Sequence, residues 1–164
     1  MRHLLTAALA TAALLAQPLL ANEYKHGDLS IDNPWSRAMP AVAQTGAVYL
    51  TIRNDGDKTD TLLSASTPAA GKTELHEHVH EDGLMKMREM SEVIIAAGET
   101  VEFKPGGYHV MLFSLQQELS AGSELPLTLI FAEAGEIEVS VQVVPSRGSH
   151  NDRRPNEHGN DHQH

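Results

Sequence analysis

From Asp28 to Val144 apolar residues mostly alternate with polar ones, in short runs rich in Val, Ile, Thr and Leu. A period of two rather than 3.6 predicts strands whose side chains face core and solvent in turn. Strands are expected near Leu29–Ile31, Gly46–Arg53, Thr61–Thr67, Lys72–His80, Leu84–Met90, Glu99–Phe103, Tyr108–Leu115, Leu125–Ala132 and Glu136–Val143. Turn residues separate them, among them Asn54-Asp55-Gly56-Asp57, Glu81-Asp82-Gly83, Pro105-Gly106-Gly107 and Ala134-Gly135, each supplying the backbone freedom or fixed φ that a reversal needs. Short strands at regular spacing predict an all-β fold, an antiparallel Greek-key β-sandwich, over residues 22–145.

The pattern fails at both ends. Residues 1–21, MRHLLTAALATAALLAQPLLA, start basic, run through Leu and Ala, break at Pro18 and reach the small Ala21. This is the plan of a secretory signal peptide, with cleavage expected after Ala21. Gln17 and Pro18 cut the apolar run below the roughly 20 residues of a membrane span, so export with no membrane anchor is expected. Residues 146–164, SRGSHNDRRPNEHGNDHQH, have no apolar residue but proline. Such a segment cannot bury enough surface to offset its ordering entropy and is expected to be a disordered, His-rich tail.

Composition narrows the chemistry. The net charge of −10 argues against nucleic acid or an anionic membrane as partner, since both select basic patches. There is no cysteine, so an exported fold must rest on burial rather than disulfides. A thiolate-dependent blue-copper electron-transfer site is excluded as well.

The stretch ELHEHVH at 74–80 contains H-E-x-x-H, which on a helix would place two zinc ligands and a general base on one face. Here Leu75, Glu77 and Val79 alternate with His76, His78 and His80, and Gly83 would end a helix after little more than two turns. On a strand, positions 76 and 80 stand about 13 Å apart at roughly 3.3 Å per residue, too far to share an ion. The metalloprotease reading therefore falls, and no catalytic residues are expected.

The strand reading assembles another set. Met85 and Met87 share one face of their strand, as do His109 and Met111 of theirs, because i and i+2 point the same way. Three strands thus offer His or Met pairs that could converge on one face. Thioether sulfur selects Cu(I), and imidazole binds copper in either oxidation state.

His76, ten intervening residues, Met87, twenty-one more, and His109-Val110-Met111 reproduce the H-x10-M-x21-H-x-M signature of the periplasmic copper chaperones called PCuAC. The words NPWSRAMP, GAVYLTIRN, ELHEH, GLMKMREM and KPGGYHVML resemble that family along nearly the whole domain. The resemblance implies a cupredoxin-like fold, Cu(I) held by His76, Met87, His109 and Met111, and delivery of copper for the CuA centre of cytochrome oxidase. It also implies a periplasmic, non-enzymatic protein whose partners are a copper-accepting oxidase subunit and a Sco-type thiol chaperone. A storage or resistance protein with the same ligands is the alternative.

Position 78 departs from the pattern, being His where many members carry Met. His78 is then either an auxiliary ligand or a flanking side chain. Met85 is a second auxiliary candidate that the spacing passes over for Met87. His80 is expected at a solvated strand end and Met90 in packing. Trp35 and Tyr108 are expected in or near the core, although an aromatic beside a metal would shield it. His150, His158, His162 and His164 in the tail would capture Cu(II) and raise the local metal concentration by tethering. A monomer is expected.

Overall fold

The structure is a computed structural model that describes residues 22–146. The expected signal peptide and His150, His158, His162 and His164 lie outside the described residues.

Every regular element is a strand: β1 (Glu23–His26), β2 (Leu29–Arg37), β3 (Thr45–Asn54), β4 (Asp60–Ser66), β5 (Ala70–Glu81), β6 (Leu84–Met90), β7 (Val93–Ile95), β8 (Thr100–Phe103), β9 (Tyr108–Leu115), β10 (Glu124–Phe131) and β11 (Gly135–Val144). The expected strands are all present with ends within two residues of those expected, except that β2 runs six residues further. Two others escaped the pattern. β1 is short and largely exposed and carries one apolar residue, Tyr24, whose hydroxyl bonds the backbone of Ser140. β7 has only three residues.

The strands form one open sheet in the order β6-β5-β9-β8-β3-β2-β11-β10-β4-β7, with β1 added to β2 and β9 also paired to β3. Pairing is antiparallel except where β11 meets β2 and β8 meets β9. The two ends of the sheet fold toward each other: the Thr73 hydroxyl of β5 donates to the carbonyl of Ala65 in β4. Between the layers lie Val48, Leu50 and Ile52 of β3, Val110 and Leu112 of β9, Leu125, Leu127 and Leu129 of β10, and Val139, Val141 and Val143 of β11. Each such side chain stabilises by about 1.5–3 kcal/mol relative to exposure, and in a cysteine-free chain this burial carries the fold.

One irregularity shapes the outer face of the sheet. In the β2–β3 ladder Asp32 opposes Thr51 and Trp35 opposes Tyr49, so Asn33 and Pro34 together stand against a single residue, Leu50. Proline has no N–H for a ladder bond and Asn33 takes a positive φ of 47°, both suited to a bulge. The extra residue resets the alternation. Trp35 is thereby turned to the outer face of the sheet, against Tyr49 with ring centroids 4.6 Å apart, which corrects the expectation that it packs in the core. Tyr108 does pack against the core, beside Phe103.

Candidate metal centre

The histidines and methionines meet because of register. β5 lies between β6 and β9, and residues directly opposite in an antiparallel ladder share a face. His76 opposes His109, Glu74 opposes Met111, His78 opposes Met87 and His80 opposes Met85. Leu75, between them on β5, points inward with Val110 and Met90, so Met90 is a packing residue. One period-two pattern thus sends aliphatic side chains to the core and imidazoles and thioethers to the outer face.

On that face the His109 ring lies 5.8 Å from the His76 ring and is stacked on the His78 ring at 4.9 Å. His109 Nε2 is 3.4 Å from Met87 Sδ. Met111 is one pair further along β9, where its side chain lines a cleft of about 220 Å³ with Met39, Ala47 and Tyr49. His109 thus lies beside both His76 and Met87, and Met111 joins them by register. His78 lies inside the cluster rather than beside it. Tyr49 closes one side at 6.4 Å from the His109 ring, and Phe113 another at 5.9 Å from His76.

The hydrogen bonds fix which ring nitrogens are free. The carbonyl of Gly107 can only accept, so at 3.0 Å it takes the proton of His109 Nδ1 and leaves Nε2 as a bare lone pair facing Met87. Glu74 accepts from His76 Nε2 at 2.6 Å; its pKa is held down by hydrogen bonds first from Lys72, then from His76. His76 Nδ1 is the remaining lone pair, and it is buried with no hydrogen-bond partner, as is Nδ1 of His78. A carboxylate or carbonyl on one imidazole nitrogen, with the other left free, is how proteins orient a metal-ligating histidine. The His109 pKa is lowered by burial above all, and further by the neighbouring His78 and His76 against the opposing effect of the Gly107 bond. The ring therefore stays neutral, as a ligand must.

Among the described residues no three His, Asp or Glu side chains converge closely enough to hold an ion by themselves. Sulfur has to complete a site here, which favours a soft cation. Glu77, the would-be general base of H-E-x-x-H, is on the other face and pairs with Arg88 at 2.8 Å. His80 is exposed at the end of β5, as expected. Sequence reasoning missed Glu74, Tyr49 and Phe113. The same alternation that found His76 would have placed Glu74 beside it, whereas the two aromatics depend on pairings between strands distant in sequence.

The chain is similar to known proteins in sequence and in fold. The LpqE-like family matches residues 29–143. The protein RP573 of Rickettsia prowazekii (strain Madrid E) is 30% identical over 115 residues, covering 68% of this chain and 64% of its own length. Lxx21020 of Leifsonia xyli subsp. xyli, named as a lipoprotein, is 34% identical over 117 residues, covering 70% of each. The chain thus spans somewhat less than two thirds of the first relative and somewhat more of the second. Among solved structures, the apo PCuAC domain from PmoF1 superposes with a TM-score of 0.66 at 27% identity, over 76% of this chain and 99% of that domain. The Cu(I) form of DR1885 from Deinococcus radiodurans gives 0.59 at 26% identity, over 79% of this chain and 85% of that one. The copper-bound PCuAC domain from PmoF2, at 23% identity and a TM-score of 0.64, shares the fold.

Proposed function

We propose that this chain, which belongs to the LpqE-like family, is a copper chaperone of the PCuAC kind that carries Cu(I) outside the cytoplasm on the His76, Met87, His109 and Met111 face, with His78 stacked beside His109. The observation that carries the reading is the set of unpartnered imidazole nitrogens. Two buried imidazole nitrogens have no partner, and a third faces a thioether sulfur at 3.4 Å with no proton between them. Leaving one such group buried and unsatisfied costs about 1–3 kcal/mol, which a soft cation shared between imidazole nitrogen and thioether sulfur offsets. The copper-bound form of DR1885 supports the choice of metal.

All these ligands are neutral, so the ion keeps its +1 charge when bound and is held less firmly than by thiolates. Transfer to a cysteine-bearing acceptor then runs downhill. On this reading the acceptor is the oxidase subunit that houses the CuA centre, with a Sco-type thiol chaperone assisting, and the compartment is the periplasm. The His-rich tail gathers Cu(II) nearby.

The test is an anaerobic Cu(I) titration against a chromophoric chelator, with the four tail histidines replaced by Asn. Tight one-to-one binding that survives those replacements and collapses in Met87→Ala/Met111→Ala supports the reading. Binding that follows the tail and ignores the methionines removes it. Incubation of the loaded protein with the soluble, dithiol-bearing domain of the oxidase subunit then separates delivery from storage, since a storage protein keeps its copper.

A further inference from the structure

We infer that the tip of the β5–β6 hairpin carries a second Cu(I) station, His80 with Met85, through which copper reaches and leaves the inner cluster; the inference rests on the Cu(I) reading above. His80 Nδ1 lies 3.1 Å from Met85 Sδ. The two residues are directly opposite in the ladder, one step beyond the His78 and Met87 pair and on the same face. Two residues along a strand are roughly 6.6 Å, so neighbouring stations are close enough for an ion to move by exchanging one ligand at a time. The ladder reads imidazole and thioether at the tip, imidazole and thioether again, then the two inner imidazoles, with Met87 Sδ already touching His109 Nε2.

Accessibility runs the opposite way to ligand number. Met85 and Met87 are 56% and 52% exposed, whereas His109 is 2% exposed. An ion at His80 and Met85 stands on the exposed hairpin tip within a partner's reach, whereas one beside His109 is flanked by the His76 and His78 rings. Two neutral ligands suffice for Cu(I), which accepts low coordination, and they hold it weakly enough to pass it on. The hairpin is built to hold this register: Asp82 and Gly83 both take positive φ, 55° and 75°, between the paired Glu81 and Leu84. That is the two-residue turn with left-handed central residues that suits the twist of a hairpin.

The test uses the full chain with His150, His158, His162 and His164 replaced by Asn, so that Cu(I) beyond the first equivalent reports on the hairpin. His80→Ala/Met85→Leu is compared with its parent for Cu(I) stoichiometry, for affinity of the first equivalent, and for the stopped-flow rate of Cu(I) transfer to a dithiol peptide. The expected result is loss of a weak second equivalent and a transfer rate lower by about tenfold, the scale on which a lost supporting ligand acts, with first-equivalent affinity unchanged. His80→Met, which keeps a soft ligand, should restore the rate. Unchanged stoichiometry and rate in the double variant overturn the station. Met87→Ala/Met111→Ala, run in parallel, reports on the inner site alone, so failure of the underlying reading appears there as absence of the tight first equivalent.

Discussion

Glu74 and His76 stand two positions apart on one face of β5, and their side chains meet at 2.6 Å. The carboxylate accepts a hydrogen bond from Nε2–H and leaves Nδ1 of His76 as the free, buried nitrogen. Replacing Glu74 with Ala should lower Cu(I) affinity by roughly 10–100-fold, the usual effect of losing a group that orients a ligand. Glu74→Gln, which keeps an acceptor oxygen, should lose less. Chelator competition on both variants measures this, and equal affinity in Glu74→Ala and the parent would show that His76 needs no orienting partner.

Burial lowers the His109 pKa, which ties the stability of the fold to pH. The unfolded chain binds a proton at this histidine at a higher pH than the folded one does. The contribution to stability is therefore complete above the ordinary histidine value of about 6.5 and is lost as pH falls through the lower folded value. Thermal melts of the apo-protein from pH 7.5 to 5 should show Tm falling in the acidic half, and His109→Phe should flatten that part of the profile. Protons also compete with copper for Nε2, so Cu(I) affinity should weaken below about pH 6. A Cu(I) affinity constant from pH 7.5 to 5 would remove histidine from the ligand set.

The bulge at Asn33 and Pro34 gives a spectroscopic handle. Trp35, the single tryptophan, rests on Tyr49, whose ring is next to His109. Copper bound at the cluster should quench Trp35 fluorescence in proportion to loading and reach its end point at one equivalent. In Met87→Ala/Met111→Ala the same additions should leave the emission nearly unchanged. Quenching that persists there would place the ion elsewhere near Trp35.

The core beneath the cluster is a separate matter from its chemistry. Leu112 is fully buried on β9 between His109 and Phe113 in sequence but on the opposite face. Leu112→Ala should cost about 2–5 kcal/mol in urea unfolding, while the copper-loaded protein remains measurably more stable than the apo form through ligand linkage. A loss below about 1 kcal/mol would mean that the sheet repacks to fill the space.

Much of this was legible in the chain because period-two alternation is a local signal. It marked β3, β6 and β9 closely and put His109 and Met111 on one face without any knowledge of neighbours. Register was not legible, since which residue opposes which is decided across the sheet. The contact of His78 with His109 and the opposition of His76 to His109 therefore appeared only in the fold. Alternation also misled where a bulge interrupts it. Leu29–Ile31 read as a short strand because Asn33-Pro34 breaks the pattern, whereas β2 continues to Arg37 and turns Trp35 outward. β1 was invisible for a third reason: it is held by backbone pairing, by the single Tyr24 and by the Glu23–Arg53 ion pair, none of which leaves an apolar pattern.

The turn at Asp82-Gly83 also limits how this protein can change over evolutionary time. With two loop residues, Met85 and Met87 fall on the imidazole face and Lys86 and Arg88 on the other. One inserted residue taken up by the ladder rather than by the loop would exchange them, since a single step along a strand reverses the side to which every later side chain points. Lys86 and Arg88 would then stand opposite the histidines, and their charge would repel the ion that the methionines hold. Substitutions leave this register in place, whereas a change in length that the ladder absorbs sets a cationic surface there in a single step.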